Sequence, residues 1–225
     1  MGVSIGFSRK INEWMQSTEG RVAFRPFLVD GNPYRSRLFV VGAFPHPVIS
    51  VDEEEHEEYR ESLVDAELWD AFYGDQMQSR ENRGTAAFIG WLKEACGETA
   101  VHANVTALMA DSTKKLKEYS KESPEDYQRG FEVFKETVEE FQPEFMILYG
   151  ADAVKQFRKQ FAEALLDHQA KVDKVQELEE AGVFAEWHLA DGKKVKVLAC
   201  RNLSYYGKMG EAFEAFKEQV RLMLA

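Results

Sequence analysis

Short apolar segments that alternate with helical patterns constrain the fold of this chain more than any other feature. The segments Arg37–Val41 and Phe145–Tyr149 are continuously apolar after their first residues rather than alternating, and each is followed by a glycine. Strands of this kind are covered on both faces, as in a parallel sheet. A further strand is predicted over Val101–Val105. Phe184–Leu189 and Lys194–Cys200 flank an Asp-Gly turn and are predicted to pair as a hairpin.

Helical patterns separate these strands. Helices are predicted over residues 4–20, 59–74, 84–95, 124–142 and 150–180, and near the end of the chain. The acidic run 52–58 is interpreted as the start of the helix that continues over 59–74. The polar stretches 75–84 and 111–121 are interpreted as loops. The alternation predicts the α/β class: a three-layer α/β/α arrangement with a central, largely parallel sheet.

Composition sets outer limits. The 225 residues, 44% of them hydrophobic, suffice for one domain spanning 1–225 with a full core, which excludes intrinsic disorder. No apolar run is long enough to cross a bilayer, and no secretory signal is recognisable, so a cytoplasmic protein with two reduced cysteines is expected. The net charge of -11 disfavours a protein that coats nucleic acid over its whole surface, but it allows a local basic groove.

Polar side chains follow the predicted strands. Ligands of parallel sheets bind at the carboxyl ends of the strands, so the loops after Val41, Val105, Tyr149 and Cys200 are the candidate site. No Gly-x-x-x-x-Gly-Lys loop, Gly-x-Gly-x-x-Gly motif or nucleophile elbow is present in them. A nucleotide-cofactor enzyme and an ordinary α/β hydrolase are therefore disfavoured.

The order of these loops resembles the uracil-DNA glycosylase superfamily. The motifs that carry the resemblance are Val40–Pro45, Ala103–Val105, Ile147–Gly150 with Ala153, and Arg201–Ser204, within about residues 26–206. The resemblance implies a uracil-DNA glycosylase-like fold, a flipped base in a pocket, DNA as partner, and neither metal nor other cofactor. Two cysteines cannot supply the four ligands of the iron–sulfur cluster that some members hold. A monomer is assumed.

The resemblance also implies roles for individual residues. Asn104 would read the base edge, Phe44, Tyr73 or Tyr206 would stack on it, and Ser204 would hold phosphate. The remaining predicted substrate-binding residues are Gly42, Ala43, Pro45, His46 and Arg201. Phe44 stands where many members have a polar residue that activates water, and Asn202 stands where they have His. Asp75 and Glu81 are therefore the candidate catalytic carboxylates, with Asn202 beside them.

Each of these residues also has a purely structural interpretation. Asn104 could hydrogen-bond to backbone groups at the end of a strand, and Phe44 could be a core residue. Asp75 and Glu81 could be solvated loop acids. A metal site around His56 in the acidic run is a weak alternative to a solvated helix start.

Lysines support a nucleic-acid partner. One group lies at 114–121 and another at 193–208; both are predicted to flank the mouth of the site, and Lys114, Lys115 and Lys208 are the predicted DNA-backbone contacts.

The sequence thus predicts a DNA glycosylase that hydrolyses the N-glycosidic bond of uracil or a modified pyrimidine, in repair or in defence against phage with modified DNA. The alternatives are a catalytically inactive module that binds nucleic acid or protein, and a hydrolase of free nucleosides.

Overall fold

The computed structural model describes residues 5–225, which form a six-stranded sheet with helices on both faces. The strands are β1 Leu38–Gly42, β2 Ala100–Asn104, β3 Phe145–Tyr149, β4 Leu165–Asp167, β5 Val183–His188 and β6 Lys194–Cys200. The helices are α1 Ile5–Met15, α2 His56–Ser62, α3 Ala66–Tyr73, α4 Arg80–Cys96, α5 Thr113–Glu122, α6 Pro124–Phe141, α7 Ala151–Gln160, α8 Val175–Ala181 and α9 Glu214–Leu224.

The spatial order of the strands is β2-β1-β3-β6-β5-β4. The four strands β2, β1, β3 and β6 are mutually parallel, whereas β5 runs antiparallel to both β6 and β4. The predicted α/β class, three-layer arrangement and largely parallel sheet are confirmed.

The central strands are apolar throughout because both faces of the sheet are covered. On one face, strand residues such as Val40 and Ile147 pack against α4, α9 and the segment after β6. On the other, alternate residues such as Phe39 and Leu148 join the cluster that contains α1, α6 and α7. Successive side chains of a strand point to opposite faces, so a strand between two helical layers carries no polar alternation.

The first helix is shorter than predicted. Of the predicted range 4–20, residue 4 lies outside the described residues, and α1 ends at Met15. The chain then turns back, because Gln16 bridges Val22 and Gly20 adopts a φ of 80° in the turn between them. The helix packs on the domain as expected: Trp14 Nε1 donates a 2.8 Å hydrogen bond to Glu136 in α6.

Four further predictions were wrong. The predicted helix 59–74 is two helices, since α2 ends at Ser62 and α3 begins at Ala66. Helix α4 begins at Arg80 within the predicted loop 75–84, and α5 occupies most of the predicted loop 111–121. The predicted helix 150–180 is interrupted, since α7 ends at Gln160 and the edge strand β4 precedes α8. The predicted hairpin of β5 and β6 is confirmed.

No helix within residues 5–225 is long and apolar enough to span a membrane.

Candidate functional site

The carboxyl ends of β1, β2, β3 and β6 meet at one edge of the sheet. Gly42 is in register with Asn104, and Tyr149 with Cys200. A Cβ atom at Gly42 would overlap the Tyr149 hydroxyl and would lie 2.6 Å from Asn104 Oδ1. Glycine is therefore required where β1 enters its loop, because two polar side chains from neighbouring strands converge on its backbone.

The carboxylate of Glu81 lies at this edge of the sheet. Glu81 lies in the first turn of α4, which Ser79 caps by accepting a 3.0 Å hydrogen bond from the backbone N–H of Asn82. Glu81 Oε2 accepts a 2.6 Å hydrogen bond from Nδ2 of Asn202, and its Oε1 lies 3.3 Å from Nε2 of His46. The start of α4, the loop after β1 and the loop after β6 thus converge on one carboxylate.

Opposing influences act on the pKa of Glu81. Burial disfavours the charged carboxylate, but the hydrogen bonds from His46 and Asn202 outweigh burial, and the pKa is lowered from its ordinary value. The position of Glu81 at a helix N-terminus also favours a negative charge. Glu81 is therefore ionised at neutral pH. A carboxylate can only accept, so Nε2 of His46 is the donor in this hydrogen bond.

Close packing of α4 holds Glu81 in place. A Cβ atom at Gly84 would overlap the carbonyl oxygen of Leu203, so the helix lies directly against the segment after β6. Within that segment, Asn202 Oδ1 accepts a 2.8 Å hydrogen bond from the backbone N–H of Ser204. Both ends of the Asn202 amide are thereby used, and its Nδ2 points at Glu81.

Asn104, the last residue of β2, differs from Asn202 in having no hydrogen-bond partner for its side chain among residues 5–225. It is only 4% exposed. The amide of Asn104 is not one of the fully enclosed polar atoms that lack a partner, so it reaches the surface of the site and is accessible to a ligand. This placement agrees with the predicted base-reading role without testing it.

A histidine and a tyrosine lie beneath Asn104. His102 Nε2 and the Tyr149 hydroxyl are 3.0 Å apart and hydrogen-bonded. Burial, with the positive charge of Arg25 as a second cause, lowers the pKa of His102 to about 3. Burial likewise raises the pKa of Tyr149. Both side chains are therefore neutral, and the floor of the site carries no charge of its own.

Arg25 is the cation of the site. It precedes β1 in the irregular segment along the edge of β2, where its backbone N–H donates to the carbonyl of Ala107 at 2.8 Å. The side chain is 2% exposed, and no carboxylate of residues 5–225 pairs with it. Its nearest acceptors are the His46 carbonyl at 3.5 Å and Met77 Sδ at 3.7 Å, and its guanidinium lies 5.5 Å from the Trp69 ring.

The structure separates the two candidate carboxylates. Glu81 belongs to the cluster described above, whereas Asp75 is exposed in a short 3₁₀ turn, Gly74–Gln76, and makes no hydrogen bond within the described residues. The interpretation of Asp75 as a solvated acid fits this placement. Of the two, only Glu81 contacts Asn202.

Two predicted ligand contacts are occupied by internal interactions. Tyr206 is 3% exposed and packs against Phe88 and Phe213, so it belongs to the core and the stacking role is wrong. Arg201 donates to Glu179 at 2.6 Å from Nη2, and its backbone N–H donates to the same carboxylate at 2.8 Å. The charge of Arg201 is therefore neutralised by the buried carboxylate of Glu179. This pairing argues against the predicted role of Arg201 in binding substrate.

Backbone hydrogen bonds hold the loop after β1 against the loop after β2. The Ala43 carbonyl accepts from the Thr106 N–H at 3.3 Å and the Pro45 carbonyl from the Ala110 N–H at 3.0 Å, which ties this loop to the one after β2. Phe44 is half-buried, with its ring centroid 6.0 Å from that of His46. A partly exposed aromatic ring beside the Glu81 cluster remains available for stacking.

The lysines do not form the predicted strip. Lys194 and Lys196 begin β6 and therefore lie at the edge of the sheet opposite the site, which contradicts their predicted placement. Lys114 and Lys115 are exposed on α5 and both pair with Glu118, at 3.9 and 2.7 Å. Lys208 is exposed a few residues past Ser204 and pairs with no carboxylate of the described chain.

Metal ligands do not cluster in the part of the chain that the structure describes: no group of three or more His, Cys, Asp or Glu side chains there is placed to hold an ion. His56 and its acidic neighbours instead start a helix, in which Asp52 and Glu55 form a capping box. A separate surface groove of about 650 Å³ lies between the turn near Gly20, the Asp52 segment and the start of α6. Its walls carry four acids, Glu19, Asp52, Glu53 and Asp126, against Arg21 and His56, so the groove is acidic on balance.

The sequence matches no known protein-family model and no curated protein. The argument for function therefore rests on the site itself. An ionised carboxylate held by an amide and an imidazole can orient water and stabilise a developing positive charge. An accessible amide at a strand end can recognise a planar polar edge.

Sequence reasoning assigned no role in the site to Arg25 or His102. Arg25 stands in a Phe-Arg-Pro stretch that carries no motif. The only sequence signal was a charged residue between two apolar ones, which is too common to identify a site.

Proposed function

We propose that this protein is a DNA glycosylase that hydrolyses the N-glycosidic bond of a pyrimidine nucleotide. The observation that carries the proposal is the ionised carboxylate of Glu81, held by Asn202 and His46 at the carboxyl edge of the parallel sheet. The buried amide of Asn104 lies at the same edge, on the strand next to β1.

The proposed reaction separates charge. As the bond between sugar C1′ and base nitrogen breaks, its electron pair leaves with the base, and the sugar becomes cationic. Glu81 stabilises that cation and orients a water, whose oxygen forms the new bond to C1′. The proton that the water loses passes to Glu81 and then to solvent. The base is released, and an abasic site remains in the DNA.

Base recognition is assigned to Asn104 and Phe44. The amide reads the polar edge of the flipped base, and the partly exposed ring of Phe44 stacks on its face. Just past the loop after β6, Tyr205 is 70% and Met209 68% exposed, with Lys208 between them. Exposed apolar side chains beside a cation suit a surface that fills the gap left by a flipped nucleotide and contacts its phosphates.

Uracil and a modified pyrimidine are both proposed as target bases, in DNA repair or in defence against phage with modified DNA. Phe44 replaces the polar residue expected in the first loop, so the pocket is more apolar than one built for plain uracil. This difference supports a modified pyrimidine as the target at least as strongly as uracil.

The test is formation of abasic sites on labelled oligonucleotides that contain uracil, thymine mismatches or substituted cytosines. Alkali-sensitive strand breaks on one substrate, lost in Glu81→Gln, would support the proposal and name the base. No cleavage on any substrate, with DNA binding retained, would contradict it and favour the inactive binding module.

A hydrolase of free nucleosides is a second candidate. The observations that favour it are the engagement of Arg201 by Glu179 and the distance of Lys194 and Lys196 from the site, since both reduce the positive charge available to a DNA backbone. Cleavage of free nucleosides with a higher kcat/KM than oligonucleotides would select it. The exposed Tyr205 and Met209 favour DNA, because a small nucleoside would not contact them.

A further inference from the structure

The strongest unexplained feature of the site is a buried charge without a counterion. The guanidinium of Arg25 has five N–H donors, yet within residues 5–225 it makes only two long hydrogen-bond contacts, to the His46 carbonyl and Met77 Sδ. Contact with the Trp69 ring offsets part of the cost of burial. Burying an unpaired charge costs several kcal/mol. Such a cost is retained where the charge acts on a ligand.

One residue separates Arg25 from Glu81. The backbone carbonyl of His46 contacts the guanidinium, and its imidazole contacts the carboxylate. Arg25 and Glu81 form no ion pair with each other, although their opposite charges face the same loop. The site therefore holds a positive and a negative group apart, on either side of the loop after β1.

The position of Arg25 relates it to Asn104. Its backbone donates to Ala107, three residues past Asn104, and Leu28 forms a bridge with His102, two residues before it. The segment that carries Arg25 thus runs alongside the end of β2. The charge of Arg25 also acts on His102 and Tyr149, which lie beneath Asn104, whereas Glu81 lies at the start of α4.

We propose that Arg25 binds the departing base as an anion, by donating hydrogen bonds to an oxygen of the pyrimidine on which negative charge develops. This inference rests on the proposed glycosylase function. The two charges of the site match the two charges of the reaction: Glu81 opposes the positive sugar, and Arg25 opposes the negative base. Such preorganised groups are typically worth a factor of roughly 100 to 1,000 in rate each.

Binding of free bases tests Arg25 without requiring catalysis. The probes are 5-nitrouracil, which is an anion at neutral pH, and uracil, which is neutral there. Calorimetric titration of the intact protein is expected to show tighter binding of 5-nitrouracil than of uracil. Arg25→Met is expected to lose that preference by about tenfold or more, whereas Arg25→Lys keeps part of it. Equal affinity of the unchanged protein for both bases, or an unchanged preference in Arg25→Met, would overturn the proposal.

Kinetics on a leaving-group series provide the second readout. In oligonucleotides, 5-fluorouracil leaves more easily than uracil, so its release depends less on a stabilising cation. Arg25→Met is expected to reduce kcat at least about tenfold more for uracil than for 5-fluorouracil. An equal loss on both would mean that Arg25 only supports the fold, and the inference would fail while the glycosylase function stood. Absence of cleavage by the unchanged protein would instead overturn the function and this inference with it.

Discussion

Asn202 Nδ2 donates a 2.6 Å hydrogen bond to Oε2 of Glu81, and this contact joins two segments 121 residues apart in the chain. The amide is fixed from behind, because its Oδ1 accepts the backbone N–H of Ser204. The loop after β6 therefore does not bind substrate directly through Asn202. It positions the carboxylate of Glu81, which we propose acts on the sugar, and it helps to keep that carboxylate ionised.

Replacement of the carboxylate gives the first prediction. Glu81→Gln keeps the shape of the side chain and an oxygen for Asn202 but removes the charge. We expect kcat to fall by about 100-fold or more, because the positive sugar loses its counter-charge. Asp75→Asn is the matched control: Asp75 is exposed and outside the cluster, so its variant is expected to keep the original kcat in the abasic-site assay. Comparable losses in both variants would refute the assignment.

The second prediction concerns pH. The hydrogen bond from Asn202 helps to lower the pKa of Glu81 against the effect of burial, and the proposed mechanism uses the ionised form. Asn202→Ala removes the donor, so the pKa of Glu81 rises and activity is lost at a higher pH. The acid limb of the pH profile of kcat/KM is expected to move upward. Ser204→Ala leaves this hydrogen bond intact and should leave the acid limb in place; a shift there would mean that loop disruption, not the donor, is the cause.

Two glycines of α4 provide a third prediction. A Cβ atom at Gly84 overlaps the Leu203 carbonyl, whereas one at Gly90 has no atom within 4 Å. Gly84→Ala is expected to lower the free energy of unfolding by about 1–3 kcal/mol, because the helix must move away from its neighbour. Gly90→Ala is expected to raise it by roughly 0.5–1 kcal/mol through helix propensity. Urea unfolding measures both.

The same pair of variants reports on the site. Movement of α4 would displace Glu81 from Asn202, so Gly84→Ala should lose activity in addition to stability, while Gly90→Ala retains it. Similar stability and activity in both variants would show that the close approach at Gly84 does not position the carboxylate.

Local signals in the sequence predicted the sheet well. Apolar runs that end in glycine mark β1 and β3, because a parallel strand is buried on both faces and glycine permits the close approach that follows. The same signals predicted that the loops after β1, β2, β3 and β6 lie at one edge of the sheet, since parallel strands bring their carboxyl ends together.

Tertiary contacts account for the errors. The predicted helix 150–180 breaks because Arg158 pairs with Asp167 at 2.7 Å and donates to the carbonyls of Gln169 and Val172, which folds the segment back to form β4. The sequence of α5 does not predict a helix, because Leu116 is the one buried residue in it and apolar residues therefore do not recur at helical spacing. Arg25 was missed because burial of a charge depends on which segments surround it, and local sequence does not contain that information.

The fourth prediction follows from the buried histidine. The pKa of His102 is about 3 in the folded protein, against an ordinary value of 6.5. The unfolded chain therefore binds a proton on His102 at a pH where the folded protein does not, and stability falls as pH drops from 6.5 towards 3. Between pH 7 and pH 5 the titration of His102 alone is expected to lower the free energy of unfolding by about 2 kcal/mol.

His102→Gln keeps a polar partner for Tyr149 but does not titrate, so its free energy of unfolding should fall less over the same interval. Urea unfolding at pH 7, 6 and 5 gives the comparison. Parallel curves for the two proteins would mean that His102 takes up its proton in the folded state, and that the floor of the site is charged rather than neutral.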